Sequence, residues 1–290
     1  MPSVTQPKPP ALPQPARAGE AFAFLRKLVL DRAAISLDAD KEYLVEARLS
    51  GIARRRGLDT AWDLLLQQRC QPDANVLTEV VEAMTTNETS FFRDPGLFNA
   101  IQNKVIPELV ERRSQDRRLS IWSAACSTGQ EPYSLAMLLK EQPKISSAWN
   151  VRILATDLSR PVLDRARSGT FSKLEVNRGL AANRLLRWFN QTGSEWVVSD
   201  ELKRLVDYRQ MNLAGPWATV PPADLVLLRN VLIYFPPEIK QRVLERIRGV
   251  LRPDGYLILG NAETTLNLDS NFQRVDIGGA SAFRVVAPKR

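Results

Sequence analysis

Asp157 closes the apolar run of residues 151–155 and follows Gly129 by 28 residues. An acid at the end of the second strand of an α/β unit accepts hydrogen bonds from ribose hydroxyls, so Asp157 is a candidate nucleoside-binding residue. The same side chain could instead cap the helix expected from Ser159-Arg160-Pro161. Arg93 follows Phe91-Phe92 and precedes Asp94-Pro95. A guanidinium held there, at the mouth of an apolar pocket, can grip a carboxylate through two N–H groups; the alternative is a simple pair with Asp94 or another nearby acid. Arg229, Asn230 and Tyr234 form a third polar group, directly after the apolar run of residues 225–228. The chain has no histidine, which excludes Ser-His-Asp and Cys-His hydrolases and HExxH metalloproteases together. Cys70 and Cys126 are its only cysteines, too few for a disulfide framework or a structural zinc site, so no metal is expected.

The elements that must position these groups centre on residues 119–139, LSIWSAACSTGQEPYSLAMLL. Leu119, Ile121, Trp122, Ala124 and Ala125 read as a buried strand. Cys126, Ser127, Thr128 and Gly129 read as a tight turn, and Glu131-Pro132 as the start of a helix with Leu135, Ala136, Leu138 and Leu139 on its apolar face. A strand entering a helix through a glycine turn opens nucleotide-binding α/β sheets, where the backbone comes close to a ligand. GxGxxG is absent, so the turn alone says little. Strands are also expected at residues 151–157, 224–228 and 256–260, with an amphipathic helix at 236–251 closed by Pro253-Asp254-Gly255. A final hairpin at 272–277 and 282–286 would add one antiparallel strand. Residues 180–189 read as helical, and 196–208 as a small hairpin added to the main sheet.

Toward the N-terminus, six prolines among the first fifteen residues predict a disordered leader over 1–18, followed by a helical pattern to about Met84. Arg48, Arg54, Arg55 and Arg56 cluster around a helix end, either complementing its carbonyl dipoles or offering a basic face to a partner's acidic helices. In residues 85–98, Asn87 or Thr86 is a candidate helix cap. The net charge is +8, and residues 1–86 carry eleven basic and eleven acidic side chains, so the whole excess lies beyond them. A solvated basic surface, an acidic protein partner and a nucleic acid all fit that excess. No apolar run approaches the ~20 residues that cross a bilayer, and prolines occupy the place of a signal-peptide core, so a cytoplasmic location without membrane insertion is expected.

Three segments in combination, TTNETSFFRD, AACSTGQEPYSLA, and LLRNVLIYF followed by a helix and LRPDGYLILG, closely resemble the CheR-type protein-glutamate O-methyltransferases of chemotaxis receptors. The similarity runs from about Glu20 to the C-terminus. It implies an α/β, S-adenosylmethionine-dependent methyltransferase (Rossmann-like) sheet with an antiparallel edge strand and a small β-subdomain, plus a small all-α N-terminal domain. The implied division is 19–84 helical, 85–117 linker and cofactor-contacting segment, and 118–290 methyltransferase domain with its β-subdomain at about 171–208. The implied cofactor is S-adenosylmethionine, leaving as S-adenosylhomocysteine. Its contacts carry over to Asn87, Thr89 and Arg93, to Ala125, Gly129 and Glu131, to Asp157, to Asn212 and Leu213, and to Arg229 and Asn230. Arg93 and Tyr234 match the positions that align the substrate carboxylate with the methyl group. The implied partners are the cytoplasmic helices of chemoreceptors, with no nucleic acid.

Two departures stand out. Where family members show His-Ser before the glutamate that follows the fifth strand, this chain has Asn261-Ala262-Glu263. The loop at 190–196 is short, whereas members that dock on a receptor's C-terminal pentapeptide carry extra residues with added glycine there; recognition without that tether is expected. Two rival readings remain at this stage. A nucleic-acid methyltransferase should interleave aromatic residues with Lys and Arg along a groove, and no such stretch is present. A non-catalytic cofactor-binding regulator would have no use for both Arg93 and Tyr234.

Overall fold

The computed structural model describes residues 15–286, and the chain divides into two compact units between Thr85 and Thr86. The leader expected at 1–18 falls mostly outside the described residues; Pro15 already opens a helix, because proline suits a first helical turn.

The first unit holds α1 (Pro15–Ala33), α2 (Tyr43–Arg55), α3 (Ala61–Cys70) and α4 (Ala74–Ala83). Thr60 caps α3, its hydroxyl accepting from the Asp63 N–H at 3.1 Å, and Asp73 caps α4 by accepting from Asn75 N–H at 2.8 Å. Phe22, Leu25, Val29, Val45, Leu49, Leu64, Leu65 and Val80 are buried. The arginine cluster has partners within this unit. Arg55 and Arg56 both pair with Glu79, Arg54 reaches back to the Ser50 carbonyl, and Arg48 donates to the carbonyls of Met84 and Thr85 at 2.6 and 3.0 Å. Arg48 therefore satisfies carbonyls that α4 leaves unpaired at its end.

The second unit starts with α5 (Pro95–Ala100), which passes through a π-helical turn (Ile101–Val105) into α6 (Ile106–Arg112). β1 (Arg118–Ala124), α7 (Gln130–Lys140), β2 (Asn150–Asp157) and α8 (Arg160–Ser168) follow. Then come β3 (Thr170–Ser172), α9 (Lys173–Asn177), α10 (Ala182–Trp188), β4 (Phe189–Thr192), β5 (Glu195–Val198) and α11 (Asp200–Lys203). β6 (Val206–Gln210), β7 (Ala223–Leu228), α12 (Pro237–Val250), β8 (Leu251–Leu259), β9 (Phe272–Asp276) and β10 (Ser281–Val285) complete it. Seven strands form one sheet in the order β6-β2-β1-β7-β8-β10-β9, parallel apart from β10, which pairs antiparallel with both β8 and β9. All six residues of β7 are buried, as helix-covered parallel strands require.

Three antiparallel strands, β3-β5-β4, make a separate small sheet. The hairpin expected at 196–208 is corrected here. Residues 195–198 pair with β4, while β6 leaves them to join the main sheet beside β2. The small sheet packs on Phe91 through Phe171 of β3 and Phe189 of β4, at ring-centre distances of 5.0 and 5.5 Å, and the chain between those strands also meets residues 91–92. A Cβ on Gly179 would fall 2.0 Å from the Phe91 carbonyl oxygen, and the Arg184 guanidinium lies 4.4 Å from the Phe92 ring centre. Arg184 is also tied to Glu141 at 2.7 Å.

Pro253-Asp254-Gly255, expected to close the preceding helix, lies inside β8, where the register against β7 shifts between Ala223 and Leu225. A side chain at Gly255 would lie 2.8 Å from the Asp224 carbonyl oxygen, so the irregular pairing needs glycine. The shift brings Asp254 to Arg113, whose Nη1 and Nη2 donate to its two oxygens at 2.8 and 2.5 Å while Nε donates to buried Asp224 at 2.6 Å. Asp224 also accepts from the Ser120 N–H at 2.8 Å, which fixes α6 to the amino ends of β1 and β7.

The hydrogen bonds from Arg113 hold the Asp254 carboxyl below the usual aspartate range. A lowered folded pKa contributes stability that is complete above the unfolded value and is lost as pH falls through the folded one. Urea midpoints should therefore fall as pH drops below ~4, and Asp254→Asn should make that acid fall shallower; an identical acid limb in the variant would remove the pair from the stability of the sheet.

Candidate active site

Chain order along the sheet reverses between β1 and β7: β1 leads outward to β2 and β6, and the chain then returns to β7 and β8. Ligands of open α/β sheets bind in the crevice at the carboxyl ends of the strands on either side of such a reversal. Each polar group singled out in the sequence of this unit is carried by a segment at those ends or by the stretch 86–94 that packs on them.

Three consecutive features shape the turn after β1. Ala125 and Ser127 have φ of 60° and 51°, and Gly129 has φ of 95°. The glycine was expected to let the backbone approach a ligand. On the side where a Cβ would stand its neighbours are protein: an added Cβ would lie 2.9 Å from Ala166 Cβ of α8 and 2.9 Å from the Tyr208 hydroxyl of β6. Glycine is thus required for helix and sheet to close on each other. Cys126 is inert here, because burial first, and then Asp157 and Glu131, push its thiol well up. Tyr133, pushed up to about 12 by burial, donates its proton to the Ala166 carbonyl at 2.8 Å and stays neutral.

Asp157 sits at the end of β2, 7% exposed. Its Oδ2 accepts from the Ser127 N–H at 2.8 Å and its Oδ1 from the Ser159 N–H at 3.0 Å. The side chain thus orders the entry to α8, the second use considered for it, and also clamps the β1 turn. Asn212 and Leu213 lie just past β6, where the Met211 N–H donates to the Asp157 carbonyl at 2.8 Å. The Leu213 carbonyl accepts from the Trp217 indole at 2.9 Å, and that ring packs edge-on to Trp122 of β1. Asn87 joins the same group through its carbonyl, which accepts from the Ser127 hydroxyl at 2.7 Å. It caps no helix: residues 86–90 belong to neither helix nor strand, and Thr89 is half-buried among them.

A second group forms around Arg229, whose side chain is 3% exposed. It donates to Glu131 Oε2 at 2.9 Å, to the Arg93 carbonyl at 3.0 Å and to the Asp94 carboxylate. Glu131 also accepts from the Ser123 hydroxyl at 2.7 Å, so it is held between β1 and β7. Arg229 Nε is buried with no partner, an unusual state for a guanidinium donor. Asp94 is therefore the partner of Arg229 and not of Arg93. Arg93 reaches back to the Glu88 carbonyl at 3.0 Å and stays half-buried. Its two neighbours, Phe92 and Asp94, both have left-handed φ, of 48° and 66°.

The third group contains a residue that the sequence drew attention to only through its neighbours. Glu263 folds its carboxylate over the loop after β7: Oε2 accepts from Asn230 N–H and Gly260 N–H at 2.7 Å each, and Oε1 accepts from Val231 N–H at 2.9 Å. Asn230 has φ of 58°, and Tyr234 ends the 3-10 turn (Leu232–Tyr234) that follows. The available signal was an acid four residues past β8, with the polar turn at 229–230 waiting for an acceptor. A cleft of about 700 Å³ borders this group, lined by Asp94, Gly96, Gly260, Glu263, Arg274 and Phe283 among others. The described residues contain no cluster of three metal-ligating side chains.

Residues 87–279 match the family model described as CheR methyltransferase, SAM binding domain, and residues 20–85 match CheR methyltransferase, all-alpha domain. The chain is 40% identical over 272 residues to chemotaxis protein methyltransferase 1 of Pseudomonas aeruginosa, covering 92% of this chain and 98% of that one. It is 39% identical to chemotaxis protein methyltransferase Cher2 of Pseudomonas putida (83% and 89% covered) and 39% identical to a chemotaxis protein methyltransferase of Vibrio parahaemolyticus (83% and 88%).

Removing Arg229 would leave Glu131 and Asp94 facing each other without their shared cation. Arg229→Ala should lower the unfolding free energy by about 3–5 kcal/mol, and Arg229→Lys should recover little of it because one ammonium cannot reach three acceptors in a fork. Urea titration followed by tryptophan fluorescence measures both, and full rescue by lysine would contradict the geometry.

Proposed function

The chain belongs to the CheR methyltransferase family, and from that premise we propose that it esterifies glutamate side chains on the cytoplasmic helices of chemoreceptors. S-adenosylmethionine is its methyl donor. The residues at the carboxyl ends of β1, β2 and β7 fit such a group: an acceptor-only carboxylate, Asp157, is locked in direction by two backbone N–H groups, next to a turn whose left-handed residues present main-chain atoms to the crevice. When bound, the donor supplies a methyl carbon on a positively charged sulfur, and its C–S electron pair leaves with the sulfur as the new C–O bond forms.

The missing histidine agrees with this chemistry. A glutamate of pKa near ~4.3 is already ionised at neutral pH, so no general base is needed before attack. What remains is alignment and the exclusion of water. Asp157, with Asn87, Ala125, Asn212 and Leu213 around it, would hold the nucleoside end of the cofactor. Arg93 would grip the acceptor carboxylate through its guanidinium, and Tyr234 would border the methyl group. Glu131 and Arg229 act on this set from behind, by fixing the Arg93-Asp94 turn. The observation that carries the reading is that turn. Arg93 stands between two left-handed residues, and its own carbonyl and the Asp94 carboxylate are both bound by buried Arg229, so its side chain leaves a backbone that cannot swing.

The outer hairpin bears on how receptors are recognised. β4 and β5 are joined by Gly193-Ser194 alone, with Gly193 at φ 60°, a two-residue turn with glycine in its first central place. That leaves little chain to hold a receptor's tail, which supports recognition without a pentapeptide tether.

Incubation with labelled S-adenosylmethionine and receptor-containing membranes should label the receptor, and alkali should release the label as methanol, since esters hydrolyse where N-methyl groups do not. Arg93→Ala should slow transfer roughly a hundredfold with little change in melting temperature; unchanged turnover would take Arg93 out of the mechanism. Calorimetry with a receptor C-terminal pentapeptide should give no binding heat, and a saturable isotherm would refute untethered recognition.

A further inference from the structure

Glu263 has no part in the reading above, yet it gathers more main-chain donors than any other carboxylate at the carboxyl end of the sheet. Asn230, Val231 and Gly260 donate to it within 2.9 Å, and the Ile233 N–H points to Oε1 from 3.4 Å. The loop that carries Tyr234 is thereby wrapped around one anion, in the manner of a backbone nest. Only a carboxylate satisfies this arrangement, because both oxygens face N–H groups. The position is prepared on both sides. Glu263 closes its own turn by donating its N–H to the Gly260 carbonyl at 2.9 Å. Gly260 leaves the space the side chain needs, since a Cβ there would fall 2.6 Å from Glu263 Oε2 and 2.9 Å from Asn230 N. Asn230 itself is held at φ 58°, a conformation that costs a non-glycine residue energy and persists only where its surroundings enforce it.

We propose that Glu263 is a positioning residue for methyl transfer, setting the direction of Tyr234 by fixing the backbone of residues 230–233, and that it touches neither donor nor acceptor. The inference rests on the assignment of Tyr234 to the methyl-transfer site. Glu263→Gln keeps the shape but turns an amide NH2 toward backbone N–H groups, so donor faces donor and the loop must shift. A displacement of about 1 Å at an aligning residue costs on the order of a hundredfold in rate.

The test is a double-mutant cycle on the full-length protein with receptor-containing membranes, comparing wild type, Glu263→Gln, Tyr234→Phe and the pair. Glu263→Gln should lower kcat between tenfold and roughly a hundredfold at an unchanged KM for receptor, and should cost little further in the Tyr234→Phe background, because both changes disable one interaction. Losses that multiply, or a change confined to KM, would overturn the proposal. Should Glu263→Gln fail to fold, hydrogen exchange on the unaltered protein decides: the amides of Asn230, Val231 and Gly260 should be protected although they lie in or beside loops, and rapid exchange at all three would refute the clamp. A wild type that leaves receptors unlabelled would instead sink the functional reading itself, so the two failures are separable.

Discussion

Backbone strain restrained by buried side-chain hydrogen bonds is the constraint on which the crevice depends. Eight described residues other than glycine have positive φ, and five of them, Phe92, Asp94, Ala125, Ser127 and Asn230, lie on the three segments that converge at the carboxyl end of the sheet. Each such residue costs about 1–3 kcal/mol and persists only where its surroundings over-determine it. Four have an identifiable clamp: Ser134 Oγ on Phe92 N–H, Arg229 on the Asp94 carboxylate, Asp157 on Ser127 N–H and Glu263 on Asn230 N–H. Without those clamps the same chain would relax into ordinary turns and its polar side chains would point elsewhere.

Seen this way, the charged residues of the crevice divide by task. Asp157 and Glu263 accept from main-chain N–H groups, while Glu131 and Arg229 bind each other and tie Ser123 and the Arg93-Asp94 turn together. Arg93 is the exception, since its guanidinium has a single main-chain partner, the Glu88 carbonyl at 3.0 Å, and a half-buried position. A guanidinium already bound to two carboxylates could not grip a third, which is why Arg229, for all its burial, is an anchor and Arg93 is the candidate grip.

Much of this was legible in the sequence because the signals were local. The mostly apolar segments at 119–125, 151–155 and 225–228 read as buried strands, and the glycine turn, Asp157 and the paired phenylalanines followed from types and spacing. What escaped were features set by contacts distant in sequence. β6 resembled half of a hairpin because its alternation is weak, and only its pairing with β2 identifies it as a parallel edge strand. Pro253-Asp254-Gly255 carries every mark of a turn, yet Arg113, some 140 positions earlier, draws Asp254 into a strand irregularity. Glu263 was visible as a residue but not as a clamp, since its four donors belong to two different loops. Gly129 was noticed as a turn residue, but that its bare Cα also admits α8 and β6 is a packing demand that no local pattern reveals.

The seat of the small antiparallel sheet has an evolutionary consequence. Its strands are fastened by Phe171 and Phe189, which pack edge-on against Phe91, and the chain between β3 and β4 by Gly179 against the Phe91 carbonyl and Arg184 over Phe92, while a Cβ added at Gly193 in its outermost turn would meet nothing within 4 Å. Lengthening a solvated turn costs little more than the slow logarithm of loop closure. Selection could therefore remodel that rim, residue by residue, while the reaction geometry behind it stays under separate control.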